Sequence, residues 1–223
     1  TKYLNLSRQN DNISTNMMYS WNELKLSDND KELIEKLKNI KQKKNIKLIV
    51  ISGPSHSGKT TLANNIQNNL KKVFILHQDH YFRRDVKYML NGNYDTPKAI
   101  DHIRLREKIS YLIERIPNDS ILIIEGFMAY FDIFIPMLSD LNIWLDVTDV
   151  DELAERRRKT GQNFKGVEWY KTIVWSNHLK YIEYCDKLFE YHTELLPRIM
   201  FKGNIEENTQ NALNLIKKID VFN

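Results

Sequence analysis

Gly53-Pro54-Ser55-His56-Ser57-Gly58-Lys59-Thr60 satisfies G-x-x-x-x-G-K-[ST] at every fixed position. A loop of this spacing wraps a phosphate group with backbone N–H groups, and only glycine lets the chain approach so closely. Lys59 adds a point charge for the outer phosphates, and Thr60 offers a hydroxyl to a magnesium ion. Ile46 to Ile51, before the loop, is a β-branched run that reads as a buried strand. Thr60 to Leu70, after it, places Leu62, Ala63, Ile66 and Leu70 on one helical face. That helix points its positive end at the anion. The loop residues Gly53, Ser55, His56, Ser57, Gly58, Lys59, Thr60 and Thr61 are therefore the expected nucleotide contacts. His56 holds a free position of the motif and is given no catalytic role.

The pattern continues outward as strand after helix. Val73 to Leu76, Ile121 to Ile124, Asn142 to Val147 and Arg198 to Phe201 read as further strands. Thr96-Pro97 has the form of a helix start, with an apolar face at Ile100, Ile103, Ile109, Leu112 and Ile113. Thr148 and Asp151 open a helix to about Lys159, residues 168–190 form a long aromatic helix, and 205–219 a closing one. Alternation of this kind predicts an α/β fold: a five-stranded parallel sheet with helices on both faces. No internal repeat is visible.

Residues 46–223 are read as one domain and 1–45 as an N-terminal extension. Residues 1–26 are rich in Asn, Ser and Thr without a clear period, which suits a flexible segment. Ser27 and Asp30 then form an N-cap pattern, and Leu33, Ile34, Leu37 and Ile40 share a helical face. The lysine-rich stretch Lys38 to Lys47 reads as a solvated helix end.

Composition narrows the classes. The chain has 223 residues, 42% apolar and 28% charged, with a net charge of +4. This is ordinary for a globular protein and suits an anionic small ligand better than nucleic acid. The single cysteine, Cys185, excludes an intrachain disulfide and reads as a small core residue. There is no apolar run of membrane-spanning length and no signal-peptide pattern, so a cytoplasmic setting is expected, with no membrane partner. Oligomeric state is not encoded in any pattern found.

Two acids stand at strand ends, where ligands bind in open α/β sheets. Glu125, in Glu125-Gly126-Phe127, is placed to hold Mg²⁺ beside a phosphate loop; away from one it would be an ordinary strand-end carboxylate. Asp79, in His77-Gln78-Asp79-His80, is placed to act as a base toward an alcohol. Asp95, in Tyr94-Asp95-Thr96-Pro97, has two oxygens for neighbouring sugar hydroxyls, or serves only as a turn residue or cap. Arg156, Arg157 and Arg158 end a helix, where they complement its dipole. The other reading is a lid whose arginines close on phosphates; three in a row cannot all face one side.

Taken together, these pieces resemble the nucleoside-kinase branch of the P-loop kinases, most closely the nicotinamide riboside kinases. The matching segments are Ser52-Gly53 through Thr61-Leu62-Ala63, Gln78-Asp79, Tyr94-Asp95, Ile123 to Phe127, Arg156-Arg157-Arg158, and Val174-Trp175 to His178-Leu179-Lys180-Tyr181. They span residues 46 to about 215 in the family's order. The resemblance implies a P-loop kinase fold with a small lid, ATP and Mg²⁺, and a small nucleoside acceptor. Its reaction would be phosphorylation of the ribose 5′-hydroxyl of nicotinamide riboside. Lys59 would bind phosphate, Thr60 and Glu125 would serve Mg²⁺, and Asp79 would take the proton. Asp95 would hold the ribose hydroxyls, and Tyr94 and Phe82 would flank the pyridinium ring. Arg158 would reach the site from the lid as a catalytic and substrate-binding group, with Arg157 toward the nucleotide.

The chain departs from the family in three places. His80 stands where a second acid is usual. Gly161 stands where a further lid arginine is usual. Phe164 is the nearest residue to an expected ring-contacting lid aromatic. The segment between Asp101 and Glu125 is shorter than in uridine kinases, which favours nicotinamide riboside over uridine. Two alternatives stay open: a uridine kinase-like or other small-alcohol kinase, and a nucleotide-binding regulatory module. No Asn-Lys-x-Asp guanine-reading motif is present.

Overall fold

The computed structural model of the chain describes residues 25–83, 94–161 and 164–221. Residues 1–24, assigned above to a flexible segment, lie outside that set. The first helix, α1 (Asp28–Lys44), starts at a reciprocal cap. The Asp30 N–H donates to Ser27 Oγ at 3.2 Å, and the Ser27 N–H donates to the Asp30 carboxylate at 2.9 Å. It ends at Asn45, whose φ of 51° suits the left-handed turn that Asn tolerates.

Strand β1 (Lys47–Ser52) follows, then α2 (Lys59–Asn69), β2 (Val73–His77), α3 (His102–Arg115), β3 (Ile121–Glu125) and β4 (Leu141–Leu145). Beyond them come α4 (Val150–Thr160), α5 (Val167–Trp169), a π-helical segment Tyr170–Trp175, α6 (Ser176–Tyr191), β5 (Arg198–Phe201) and α7 (Ile205–Val221). The five strands form one sheet in the order β2-β3-β1-β4-β5, and every pairing is parallel. This is the α/β sheet the alternation predicts, and the architecture is that of a P-loop kinase.

Strand residues alternate between two cores, because successive side chains point to opposite faces. Leu48, Val50, Leu122, Ile124 and Trp144 face a core shared with α1, α3 and α6. Ile49, Ile51, Ile121, Ile123 and Ile143 face a second core closed by α2 and α7. Helix α1 is part of the first core rather than an appendage to it: Ile34 and Leu37 are buried there. Its Lys41 is buried and pairs with Asp140 at 2.8 Å. Arg106 of α3 ties the layer together. It donates twice to Asp132, both at 2.6 Å, and reaches Asp30 of α1 at 3.0 Å.

Three elements differ from the sequence reading. The helix expected at Thr96-Pro97 is only a 3₁₀ turn, Pro97–Ala99. Ile100 is taken by a bridge to Phe82, and Asp101 then caps α3 by accepting from the Arg104 N–H at 3.0 Å. Ile103 is consequently outside the apolar face, 63% exposed. The long aromatic helix is interrupted by its π-helical segment, which is buried at Tyr170 and Val174. The third difference is the stretch from 126 to 138, which has no helical or strand period in sequence. It is buried almost throughout and carries Tyr130, Phe131 and Phe134 into the first core.

Candidate active site

The site gathers at the carboxyl edge of the sheet, where β1, β2 and β3 end. Gly53 has a φ of 148°, and a Cβ there would lie 2.6 Å from the Leu145 carbonyl oxygen. Only glycine fits so tight a passage between neighbouring strands. The loop then turns into α2. The Ser57 hydroxyl is buried with no hydrogen-bond partner among the described residues. An unpaired buried hydroxyl in an amide-lined loop suits an oxygen-rich anion.

Lys59 is buried, and its ammonium donates to the Pro54 carbonyl at 2.7 Å. Burial pushes its pKa down, and the charges of Glu125, Asp79 and Asp95 oppose that shift. All three acids singled out in the sequence therefore lie within electrostatic reach of one ammonium. Thr60 Oγ1 donates to Glu125 Oε1 at 3.1 Å, and His77 Nδ1 meets the same oxygen at 2.6 Å. One carboxylate and one hydroxyl, both hard oxygen donors, fit Mg²⁺, which takes few protein ligands and completes its shell with phosphate and water.

Asp79 lies in the 3₁₀ turn Gln78–Tyr81, directly after β2. Gln78 anchors that turn: it is fully buried, and its Oε1 accepts from the Met128 N–H at 3.0 Å. Asp79 itself opens to solvent at the mouth of the cleft. The protein crowding it still removes enough water to raise its pKa. Lys59 opposes this shift, while the Glu125 and Asp95 charges add to it.

Asp95 is buried on the other side of the cleft, and Arg157 of α4 donates to it at 3.3 Å. Burial raises the Asp95 pKa and Arg157 pulls it back. Arg157 in turn lies over Trp169, 5.3 Å from the ring centroid, and over Tyr170 at 5.9 Å. The lid is thereby pinned to the phosphate loop. Tyr170 donates to the Ser55 carbonyl at 3.2 Å, Arg156 to the His56 carbonyl at 3.2 Å, and His56 meets Thr160 at 3.1 Å.

Of the three arginines, the inward one is Arg157. Arg158, expected to reach the site, points to solvent and pairs with Glu155 at 2.7 Å. The cause is helical geometry: successive residues are turned about 100° apart, so the three cannot share one face. Arg157 is buried against Asp95, Arg156 reaches the His56 carbonyl, and Arg158 turns away. Phe164 likewise packs on the lid cluster of Leu153, Ala154, Tyr170 and Val174. The aromatic that joins Phe82 is Phe127, stacked at 5.8 Å and 18°, with Tyr94 edge-on at 5.8 Å and 75°.

A cavity opens beside this cluster, lined by Ser55, Asp95, Phe127, Tyr170 and His178. Neither His178 nor Tyr170 is among the site residues expected from the sequence. His178 is fixed between Trp144, at 5.7 Å, and Trp175, at 5.1 Å. Burial and the nearby Lys59 push its pKa down to about 3, so its imidazole is neutral at pH 7. Its place in the Val174 to Tyr181 segment was the only sequence signal for it.

The parallel sheet and the phosphate loop are consistent with a P-loop kinase fold. No protein-family model matches the chain. It is similar to the uridine kinase of Borrelia duttonii (strain Ly), 27% identical over 167 residues, covering 62% of this chain and 81% of that protein. It is also similar to the uridine kinase of Lactobacillus helveticus (strain DPC 4571), 28% identical over 130 residues, covering 46% and 62%. The uridine kinase of Schizosaccharomyces pombe (strain 972 / ATCC 24843) is 29% identical over 188 residues, covering 69% of this chain and 40% of that protein. These similarities support an ATP-dependent nucleoside kinase. Among the described residues no helix is long and apolar enough to cross a membrane.

Proposed function

We propose that this protein transfers the terminal phosphate of ATP to the ribose 5′-hydroxyl of nicotinamide riboside, giving nicotinamide mononucleotide. The observation that carries this reading is the convergence of Asp79, Asp95 and Glu125 on the Lys59 ammonium at the mouth of the phosphate loop. In it, each charged group has a separate task.

Lys59 gives up the Pro54 carbonyl and faces the β- and γ-phosphates. Thr60 and Glu125 would hold Mg²⁺, which would supply neutralisation of the phosphate charge during transfer. Asp79 accepts the proton of the 5′-hydroxyl as that oxygen attacks phosphorus. Its raised pKa makes it a stronger base than an ordinary carboxylate, while Lys59 keeps its ionised form accessible. Asp95 accepts from the ribose hydroxyls, and Arg157 supplies the cation beside them. Phe82, Tyr94 and Phe127 offer ring faces and edges to a flat cationic base.

A uridine kinase-like activity is the second reading, favoured by the names of the similar proteins. Production of ADP with nicotinamide riboside, uridine and cytidine, measured side by side, decides between them. The first reading requires the highest kcat/KM for nicotinamide riboside. Equal ADP release with and without any nucleoside would instead favour the regulatory module.

A further inference from the structure

His77 ends β2 and is the direct cross-strand partner of Glu125 at the end of β3. In a parallel pair this register sets the two side chains next to each other on one face of the sheet. The contact is 2.6 Å, from His77 Nδ1 to Glu125 Oε1. An ionised carboxylate only accepts, so Nδ1 carries the hydrogen. Thr60 Oγ1 donates to the same oxygen at 3.1 Å. Two donors therefore converge on Oε1. The other oxygen of Glu125, Oε2, is not engaged by either contact.

The ring itself is held. The His80 ring lies against it at 5.2 Å, tilted by 58°. The backbone beneath it is fixed by the pairing of β2 with β3. The donor is thus presented by a strand rather than by a loop, which favours a fixed direction over an adaptable one.

We propose that His77 is a positioning residue for the metal-binding carboxylate: it locks Glu125 Oε1 so that Oε2 is the oxygen offered to the divalent cation that accompanies the nucleotide. This rests on the reading in which Glu125 serves Mg²⁺. Partners that orient a metal-binding side chain commonly govern metal affinity by about 10- to 100-fold. Without His77 the carboxylate would turn about its terminal bond, and the Thr60 hydroxyl alone would hold it.

The test is the affinity of ADP with and without Mg²⁺, by calorimetry, for wild type, H77A, H77N and E125Q. The quantity read is the ratio of the two affinities, which isolates the metal. H77A is expected to cut that ratio by about 10-fold or more while leaving metal-free ADP affinity unchanged. H77N restores an N–H at similar reach and is expected to regain most of it. An unchanged ratio in H77A, with a native melting transition, overturns the proposal. So does an H77N no better than H77A. If H77A does not fold, H77F takes its place, since it fills the same space without a donor. E125Q separates the two levels of the argument. A wild-type ratio retained in E125Q removes the Glu125 reading itself, whereas a ratio lost in E125Q but kept in H77A removes only the role of His77.

Discussion

Arg157 and Asp95 meet at 3.3 Å with both side chains buried, one from the lid helix α4 and one from the opposite wall of the cleft. The pair joins α4 to the segment that carries Asp95. It also places a cation beside the carboxylate assigned to the ribose. Removing one partner leaves the other charge buried and uncompensated, which costs about 3–5 kcal/mol.

R157A is therefore expected to lower unfolding stability strongly at neutral pH, read by urea titration. The loss should shrink on acidification. Burial already raises the Asp95 pKa, and Arg157 is the first group opposing that shift. Without the arginine the pKa climbs further, so protonation neutralises the stranded carboxylate at a milder pH. The double variant D95N/R157M should recover much of the lost stability but not the activity. If R157A destabilises equally at all pH values, the ion pair is not the cause.

Arg158 provides the contrast. It is exposed, and its pair with Glu155 is a surface contact within one helix turn. R158A is expected to leave the unfolding midpoint essentially where it is in wild type. Turnover should fall far less than in R157A. A larger loss of kcat in R158A than in R157A would return the catalytic role to Arg158.

Asp79 gives a pH-dependent prediction. Its pKa is raised in the folded protein, so the native state holds this proton to a higher pH than the unfolded chain does. Stability therefore falls as pH rises from the ordinary aspartate value, 3.8, through the raised one. At neutral pH the ionised form works against the fold, most of all beside Glu125 and Asp95. D79N should melt at a slightly higher temperature than wild type at pH 7, with the gap closing toward pH 3. Its turnover should drop by about 10²-fold or more, with ATP affinity nearly intact. A D79N enzyme with normal turnover would remove Asp79 from the mechanism.

The sheet and the loop were legible because their signals are local. Ile46 to Ile51, Ile121 to Ile124 and the glycines of the phosphate loop each carry their reading within a few residues. The stretch from 126 to 138 was not legible, since it is buried without any helical or strand period. The interruption at Tyr170–Trp175 was hidden for a related reason: an i→i+5 segment keeps the helical look of the sequence around it. Within the site, Glu125 and Asp79 could be chosen as strand-end acids, and Asp95 from its place in Tyr94-Asp95-Thr96-Pro97. Which arginine turns inward depends on the rotation of α4, and Phe127 joins Phe82 only through the path of the chain after β3. Neither is written in spacing.

Gly126 tests the link between packing and chemistry. A Cβ at this position would lie 2.3 Å from Gln78 Oε1 and 2.5 Å from Gln78 Cβ. The second clash involves the root of the side chain, so rotation of Gln78 alone cannot relieve it. G126A should displace the turn that carries Asp79 and break the bond from the Met128 N–H. The expected cost is about 1–3 kcal/mol in urea unfolding. The kcat should fall more than ADP affinity, because the phosphate loop lies on a different strand. A stable G126A with full kcat would show that the Gln78 turn does not set the position of Asp79.

The aromatic cluster distinguishes the acceptors. Phe82 is stacked on Phe127 and meets Tyr94 edge-on, and both Phe82 and Tyr94 are partly exposed. Ring faces attract a flat cation beyond the packing they offer any base, by about 0.5–2 kcal/mol, or roughly 2- to 30-fold in binding. Nicotinamide riboside carries that positive charge and uridine does not. Y94L and F82L should therefore raise KM for nicotinamide riboside more than for uridine, since only the former loses the electrostatic part. Phe substituted for Tyr94 keeps the ring face and should preserve the preference. Equal losses for the charged and the neutral nucleoside would mean that the cluster acts by packing alone, and the case for a cationic acceptor would lose its physical basis.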